Sequence, residues 1–236
     1  MTRYVFDPPP VPAVKIHGED ALFPVRRVFC VGRNYEAHAK EMGSEVDREE
    51  PWYFNKSAHM IQNAADGDNA SQPYPPGTEN YHHEMEMVVA ISKGGFRIPR
   101  EKALEHVYGY ACGLDMTRRD LQAVAKEKRR PWDLGKDVEG AAVIGELVPA
   151  TQCGHPVTGR ITLSVNGEVR QDQDLADLIW SVPEIISHLS RFYHLEQGDL
   201  IYSGTPSGVG PVVAGDRLQG HIDGLPDLDL SIGPAE

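Results

Sequence analysis

The chain alternates short apolar runs with turn-rich connections, and most of those runs have the length of strands rather than helices. Arg27-Val28-Phe29-Cys30-Val31-Gly32 reads as a buried strand, Pro51 to Ser57 as an aromatic strand ending in Lys56, and Val107 to Thr117 as a longer one with glycine at two points. From Glu84 to Ile91 the period of two puts Met85, Met87, Val89 and Ile91 on one face and Glu84 with Glu86 on the other. Ala141 to Val148 and the run from Gly198 add strands, the latter breaking into a glycine-rich turn. Gly159 to Gln171 alternates about Asn166-Gly167 as a hairpin, and Gly215 to Ile232 holds short strand-like pieces.

Helical patterns are brief. Asn34 is placed to cap a helix from Tyr35 to Met42 that Gly43 closes, Pro99 opens one that reaches His106, and Thr117 or Asp115 can cap Arg118 to Lys126. Ser181 caps an amphipathic helix running to about His194, with Ile185, Ile186 and Leu189 on its buried side. Glu45 to Glu50 is a charged connector, Gln62 to Asn80 a long loop, and Arg129 to Asp137 a basic, turn-forming loop. Residues 1–24 are proline-rich and read as an N-terminal arm with one short strand. No repeat or linker divides residues 25–236, which read as a single β-rich domain.

A chain of 236 residues can build one sizeable core. Its net charge of −12 argues against nucleic acid and anionic membranes as partners, both of which favour basic surfaces, and leaves a small molecule as the simpler ligand. Cys30, Cys112 and Cys153 are odd in number and in no CxxC spacing, which suggests neither a disulfide framework nor a zinc site. The first residues lack an apolar signal core and no apolar run approaches membrane-spanning length, so a cytoplasmic location is expected.

Candidate chemistry centres on carboxylates. Two adjacent anions on one strand face repel, and out of water they need a cation or a proton. Asp115, at the far end of the Val107 strand, can make a third ligand. Oxygen donors without cysteine select Mg²⁺ or Mn²⁺, with Ca²⁺ admissible and Zn²⁺ disfavoured. The alternative is a strand that starts at a wet edge. His38 and Glu41 lie three apart on a helix, a spacing that suits a proton-accepting dyad and equally a surface ion pair. His82 and His83 are possible ligands instead, but read rather as packing or supporting groups, since beyond adjacency to Glu84 neither shows a histidine ligand spacing. The turn Gly204-Thr205-Pro206-Ser207-Gly208 lacks the Gly-Lys-Ser/Thr ending of a phosphate loop; its amides and the Thr205 hydroxyl suit a carboxylate or oxyanion, unless it is a plain tight turn.

Five ordered motifs carry a resemblance from Arg27 to about Pro211: Gly32-Arg33-Asn34-Tyr35 with His38-Ala39-x-Glu41-Met42-Gly43; Glu84-x-Glu86; Tyr108-Gly109-Tyr110 with Asp115-x-Thr117-x-Arg119-Asp120-x-Gln122; Gly135-Lys136; and Gly204-Thr205-Pro206-x-Gly208-Val209-Gly210. The chain resembles the fumarylacetoacetate hydrolase family. Asn80 to Glu84 and Asp177 to Glu184 are similar to the branch that acts on fumarylpyruvate in gentisate breakdown. The resemblance implies a β-rich α+β fold, a mixed β-sandwich roll with short peripheral helices, and a homodimer. It implies Mg²⁺ or Mn²⁺ on Glu84, Glu86 and Asp115, a catalytic set of His38, Glu41 and Lys136, and substrate contacts from Arg33, Lys56, Arg119, Gln122 and Thr205. One departure is Glu139, where the family often has aspartate.

The implied activity is metal-dependent hydrolysis of the carbon–carbon bond of an acylpyruvate, a 2,4-dioxo acid, with fumarylpyruvate giving fumarate and pyruvate. Decarboxylation of an oxaloacetate-like acid and isomerisation or hydration of a dienoate are alternatives within the family. A non-catalytic, metal-stabilised binding protein is a further one.

Overall fold

A computed structural model describes residues 2–43, 48–65, 67 and 69–235. At its centre the Met85–Ile91 strand is buried at every residue. Met85, Met87, Val89 and Ile91 enter one apolar cluster and Val88 and Ala90 another, as a period of two requires. Each fully buried large apolar side chain contributes about 1.5–3 kcal/mol, and a one-residue slip would carry Glu86 into the methionine cluster, so the register is tightly specified.

This strand lies in an eight-stranded mixed sheet. In order the strands are Tyr53–Lys56, Arg27–Val31, Asp199–Tyr202, Met85–Ile91, Val107–Asp115, Ala142–Ile144 and Ile61–Asn63, with Val148–Pro149 also on Val107–Asp115. A five-stranded sheet, Glu168–Asp174, Arg160–Val165, Arg217–Ile222, Leu228–Ala235 and Ala70–Tyr74, supplies Ile161, Leu163, Leu218 and Leu230 to the methionine cluster. On the other face a small hairpin, Ala13–Lys15 with Leu22–Pro24, lays Val14 and Phe23 into the cluster of Val28, Cys30, Val88 and Ala111. Thr117–Arg118, Tyr81–His83 and Gly210–Val212 form a third, three-stranded sheet beside the carboxylates. The architecture is a β-rich α+β sandwich roll with short helices at its periphery.

Several elements differ from the sequence expectation. The N-terminal stretch contributes two strands rather than one. The Gln62–Asn80 stretch is not a bare loop: Ile61–Asn63 and Ala70–Tyr74 each add in parallel to a distant strand, a pairing that leaves no hairpin signal. The run after Pro99 is a 3₁₀ helix, Arg100–His106, and the amphipathic helix stops at Leu189. The basic loop winds into a short helix, Asp133–Lys136. Asn34 does not cap the Glu36–Glu41 helix. Its side chain instead bonds Trp180 through both the N–H and the carbonyl, and donates to the Ser203 carbonyl at 2.8 Å, tying that helix start to the glycine-rich turn. Thr117 likewise donates to the Asp115 carbonyl rather than capping the Arg119–Glu127 helix. Of the charged connector, residues 45–47 lie outside the described residues.

Candidate active site

Glu84 falls between the Tyr81–His83 and Met85–Ile91 strands, and its carbonyl accepts from the Asp115 amide at 2.8 Å. The antiparallel pairing of Met85 with Leu114 therefore delivers Asp115 to the two glutamates. Glu84, Glu86 and Asp115 are all buried, and each offers an oxygen within 4.8 Å of the others. This oxygen-only donor set, with no cysteine or histidine in it, fits a hard divalent cation.

The charges around the triad are unevenly shared. Lys136 donates to Glu84 at 2.8 Å and to Asp115 at 2.7 Å, and Arg119 bonds the other Glu84 oxygen. Burial would lift the Glu84 pKa, but Lys136 and Arg119 outweigh it and hold the carboxyl well below the usual range. Burial pulls Lys136 the other way, and Asp115 with Glu84 keeps it charged and above its ordinary value. Among the described residues the Glu86 carboxylate accepts only the Gly204 amide, at 2.7 Å, and burial together with Asp115 and Glu84 pushes it well above the usual carboxylate range. It is the group that most needs a cation. Gly204 has φ of +101° and a Cβ there would lie 2.5 Å from the Asn34 side chain, so glycine is required to aim that amide.

His38 is buried on the Glu36–Glu41 helix and its Nδ1 bonds Glu41 at 3.2 Å; Glu41 is itself fixed by the Gly208 amide at 3.0 Å. Burial lowers the His38 pKa against the opposing pull of Glu84 and Glu41, which favours a neutral ring. With Nδ1–H on Glu41, the lone pair rests on Nε2, free to take a proton.

These groups share one cleft, which Arg33, His38, Arg119, Gln122, Thr205 and Lys136 line together with the three carboxylates. Arg33, Arg119, Gln122 and Thr205 thus border the same space as the carboxylates. Lys56 does not line the cleft: its side chain is 0% exposed, pairs with Asp115 at 2.9 Å, and donates to the Met116 and Lys136 carbonyls. It supports Asp115 from behind. Glu139 is exposed, and Lys136 takes its orientation from Glu84 and Asp115 instead. His82, held near pKa 4 by burial and Arg119, steadies Arg119 through Nδ1 at 3.4 Å, while Nε2 donates to Asn80 at 2.8 Å.

Two groups escaped the sequence reading. Lys126 lines the cleft from the helix face that carries Arg119 and Gln122, a spacing of three and seven that could have revealed it. Burial, with Arg33 and Arg119 nearby, brings its pKa down to about 8. Gln171, wholly buried, donates to Thr205 and to the Pro206 carbonyl at 2.8 Å and accepts from the Met85 amide and from His83. Gln171→Leu leaves those partners buried and unpaired at about 1–3 kcal/mol each. We expect a loss of about 3 kcal/mol or more in urea denaturation and a raised KM through a loosened Thr205; a loss below about 1 kcal/mol would contradict this account.

The fold and the carboxylate site together define a class. The chain matches the C-terminal domain of fumarylacetoacetate hydrolase over residues 27–232, and it belongs to the fumarylacetoacetate hydrolase family. It is 51% identical over 197 residues to the fumarylpyruvate hydrolase of a Ralstonia species, covering 83% of this chain and all of that protein. The crystal structure of the Pseudomonas aeruginosa fumarylpyruvate hydrolase, in complex with Mn²⁺ and pyruvate, superposes with a TM-score of 0.96 at 52% identity, over 98% of this chain and 100% of that one. A mouse mitochondrial oxaloacetate tautomerase is more distant, 39% identical over 211 residues, covering 89% of this chain and 93% of that protein.

Proposed function

We propose that the chain is a metal-dependent hydrolase that cleaves fumarylpyruvate and water to fumarate and pyruvate. The observation that carries this reading is the shared cleft, in which a buried three-carboxylate set stands with the His38–Glu41 dyad. Likeness to fumarylpyruvate hydrolases from two bacteria supports the substrate. Glu84, Glu86 and Asp115 would hold Mn²⁺ or Mg²⁺, which supplies concentrated positive charge for the oxygens of a 2-oxo acid.

The protein's own groups do the rest. His38 Nε2 takes a proton from water, and Glu41 steadies the resulting imidazolium. The hydroxyl adds to the carbonyl carbon of the acyl group, and the bond between that carbon and the pyruvyl methylene breaks. Lys136 stabilises the oxyanion or helps return a proton to the methylene, which becomes the pyruvate methyl. Arg119, Gln122 and Thr205 orient the 2-oxo acid end. The same reading makes residues 25–236 the catalytic domain of a cytoplasmic homodimer serving aromatic breakdown; among the described residues no helix is long and apolar enough to cross a membrane.

The deciding experiment follows pyruvate release from fumarylpyruvate with Mn²⁺ or Mg²⁺, beside oxaloacetate as the competing substrate. Release of pyruvate and fumarate in equal amounts is expected. Preferential turnover of oxaloacetate would favour the tautomerase or decarboxylase branch.

A further inference from the structure

Near the carboxylates the cations are matched: Lys136 serves Glu84 and Asp115, Arg119 serves Glu84, and Lys56 serves Asp115. At the other wall of the cleft the balance changes. Arg33 and Lys126 line the same space, both half-buried, and among the described residues neither is paired with a carboxylate. Their neighbours are aromatic. The Arg33 guanidinium lies 5.8 Å from the Trp52 ring centre and the Lys126 ammonium 5.2 Å from that of Trp132. The two indoles meet nearly edge-on at 4.9 Å, with Phe54 about 6 Å from each. Two like charges on an apolar ledge, partly withdrawn from water, repel one another until an anion joins them.

The ledge is itself built for that purpose by local sequence. A Cβ on Gly32 would lie 2.1 Å from the Trp52 ring, so glycine lets the indole reach the cleft, and Arg33 follows in the left-handed region at φ of +52°. A residue other than glycine is uncommon in that region, and Arg33 lines the cleft together with Lys126.

We infer that Lys126, with Arg33, holds a second carboxylate at the acyl end of the substrate, lying against the Trp52–Trp132 ledge, and so selects acylpyruvates whose acyl group ends in an anion. This rests on the acylpyruvate reading above and adds to it the residue that reads the acyl group. A dicarboxylate then spans the cleft, one end at the metal-binding carboxylates and the other on Arg33 and Lys126.

The test compares kcat/KM for fumarylpyruvate and acetylpyruvate, whose acyl group ends in a methyl, in the Mn²⁺-loaded wild type, Lys126→Met and Lys126→Arg. In Lys126→Met the ratio of the two should fall about 10- to 100-fold, chiefly through KM for fumarylpyruvate, as expected for losing a charged hydrogen bond in a partly dry site. Lys126→Arg should recover most of the ratio. Inhibition by fumarate should weaken by a similar factor relative to inhibition by pyruvate. A ratio within about twofold of wild type, or equal losses on both substrates with unchanged relative inhibition, overturns the assignment of Lys126. Wild-type protein that releases pyruvate from neither acylpyruvate overturns the underlying reading instead, and the assignment with it.

Discussion

Replacing His38 by alanine should lower kcat by about 100-fold or more, the usual yield of a positioned general base. The size follows from its setting. The ring is buried, its Nδ1 is committed to Glu41, and the nitrogen that remains shares the cleft with the carboxylates. A group that only packed would change stability and KM, whereas a base also writes its own limb into the pH profile. Because burial lowers its pKa below 6.5, wild-type activity should fall on acidification only once the pH drops through that lowered value, and the limb should vanish from the residual activity of His38→Ala. Stopped-flow turnover across pH 5 to 8 decides this, with Mn²⁺ binding checked separately. Wild-type turnover in the variant would remove His38 from the mechanism.

The second large effect concerns Glu86 and is a reversal of order. Its folded pKa is raised well above that of an exposed glutamate by burial and by Asp115 and Glu84. For such a group the stabilising contribution is complete below the unfolded pKa and is lost as pH rises through the folded one. Metal-free wild type should therefore lose stability as the pH rises above the ordinary glutamate range towards the raised folded value. Glu86→Gln mimics the protonated form and keeps an oxygen for the Gly204 amide, so the metal-free variant should melt higher than wild type at pH 8, by about 2–4 °C for each kcal/mol relieved. With Mn²⁺ the order inverts. Wild type gains about 2.7 kcal/mol at a hundredfold excess over the dissociation constant, and the variant gains little or nothing. Calorimetry with and without Mn²⁺ reads both halves, and a variant that is less stable without metal yet equally stabilised by it would refute the assignment of Glu86 as a ligand.

How much could be read from the chain depends on how local each relation is. Glu84 and Glu86 are legible because a strand repeats every two residues, and His38 with Glu41 because a helix brings i and i+3 together. Asp115 was placed at a strand end, but its meeting with Glu84 depends on a strand pairing that only the folded sheet displays. Lys56 shows the limit: the resemblance implies a substrate contact, and nothing local says that its ammonium turns inward to two carbonyls and Asp115. Gln171 was invisible for the same reason, since Thr205, Met85 and His83 lie 34 to 88 residues away. The strands at Ile61–Asn63 and Ala70–Tyr74 likewise pair only with remote partners.

The two ends of the cleft are written in different parts of the fold. The carboxylates sit on, or directly beside, central strands buried on both faces. The aromatic ledge and its cations come from a turn, an edge strand and two short outer helices. Such a division lets selection edit one half of the molecule without reopening the other. A library confined to positions 33, 52, 126 and 132 should therefore yield enzymes with new acyl preferences at little expense in folding, and a protein of this shape can change its diet faster than its chemistry.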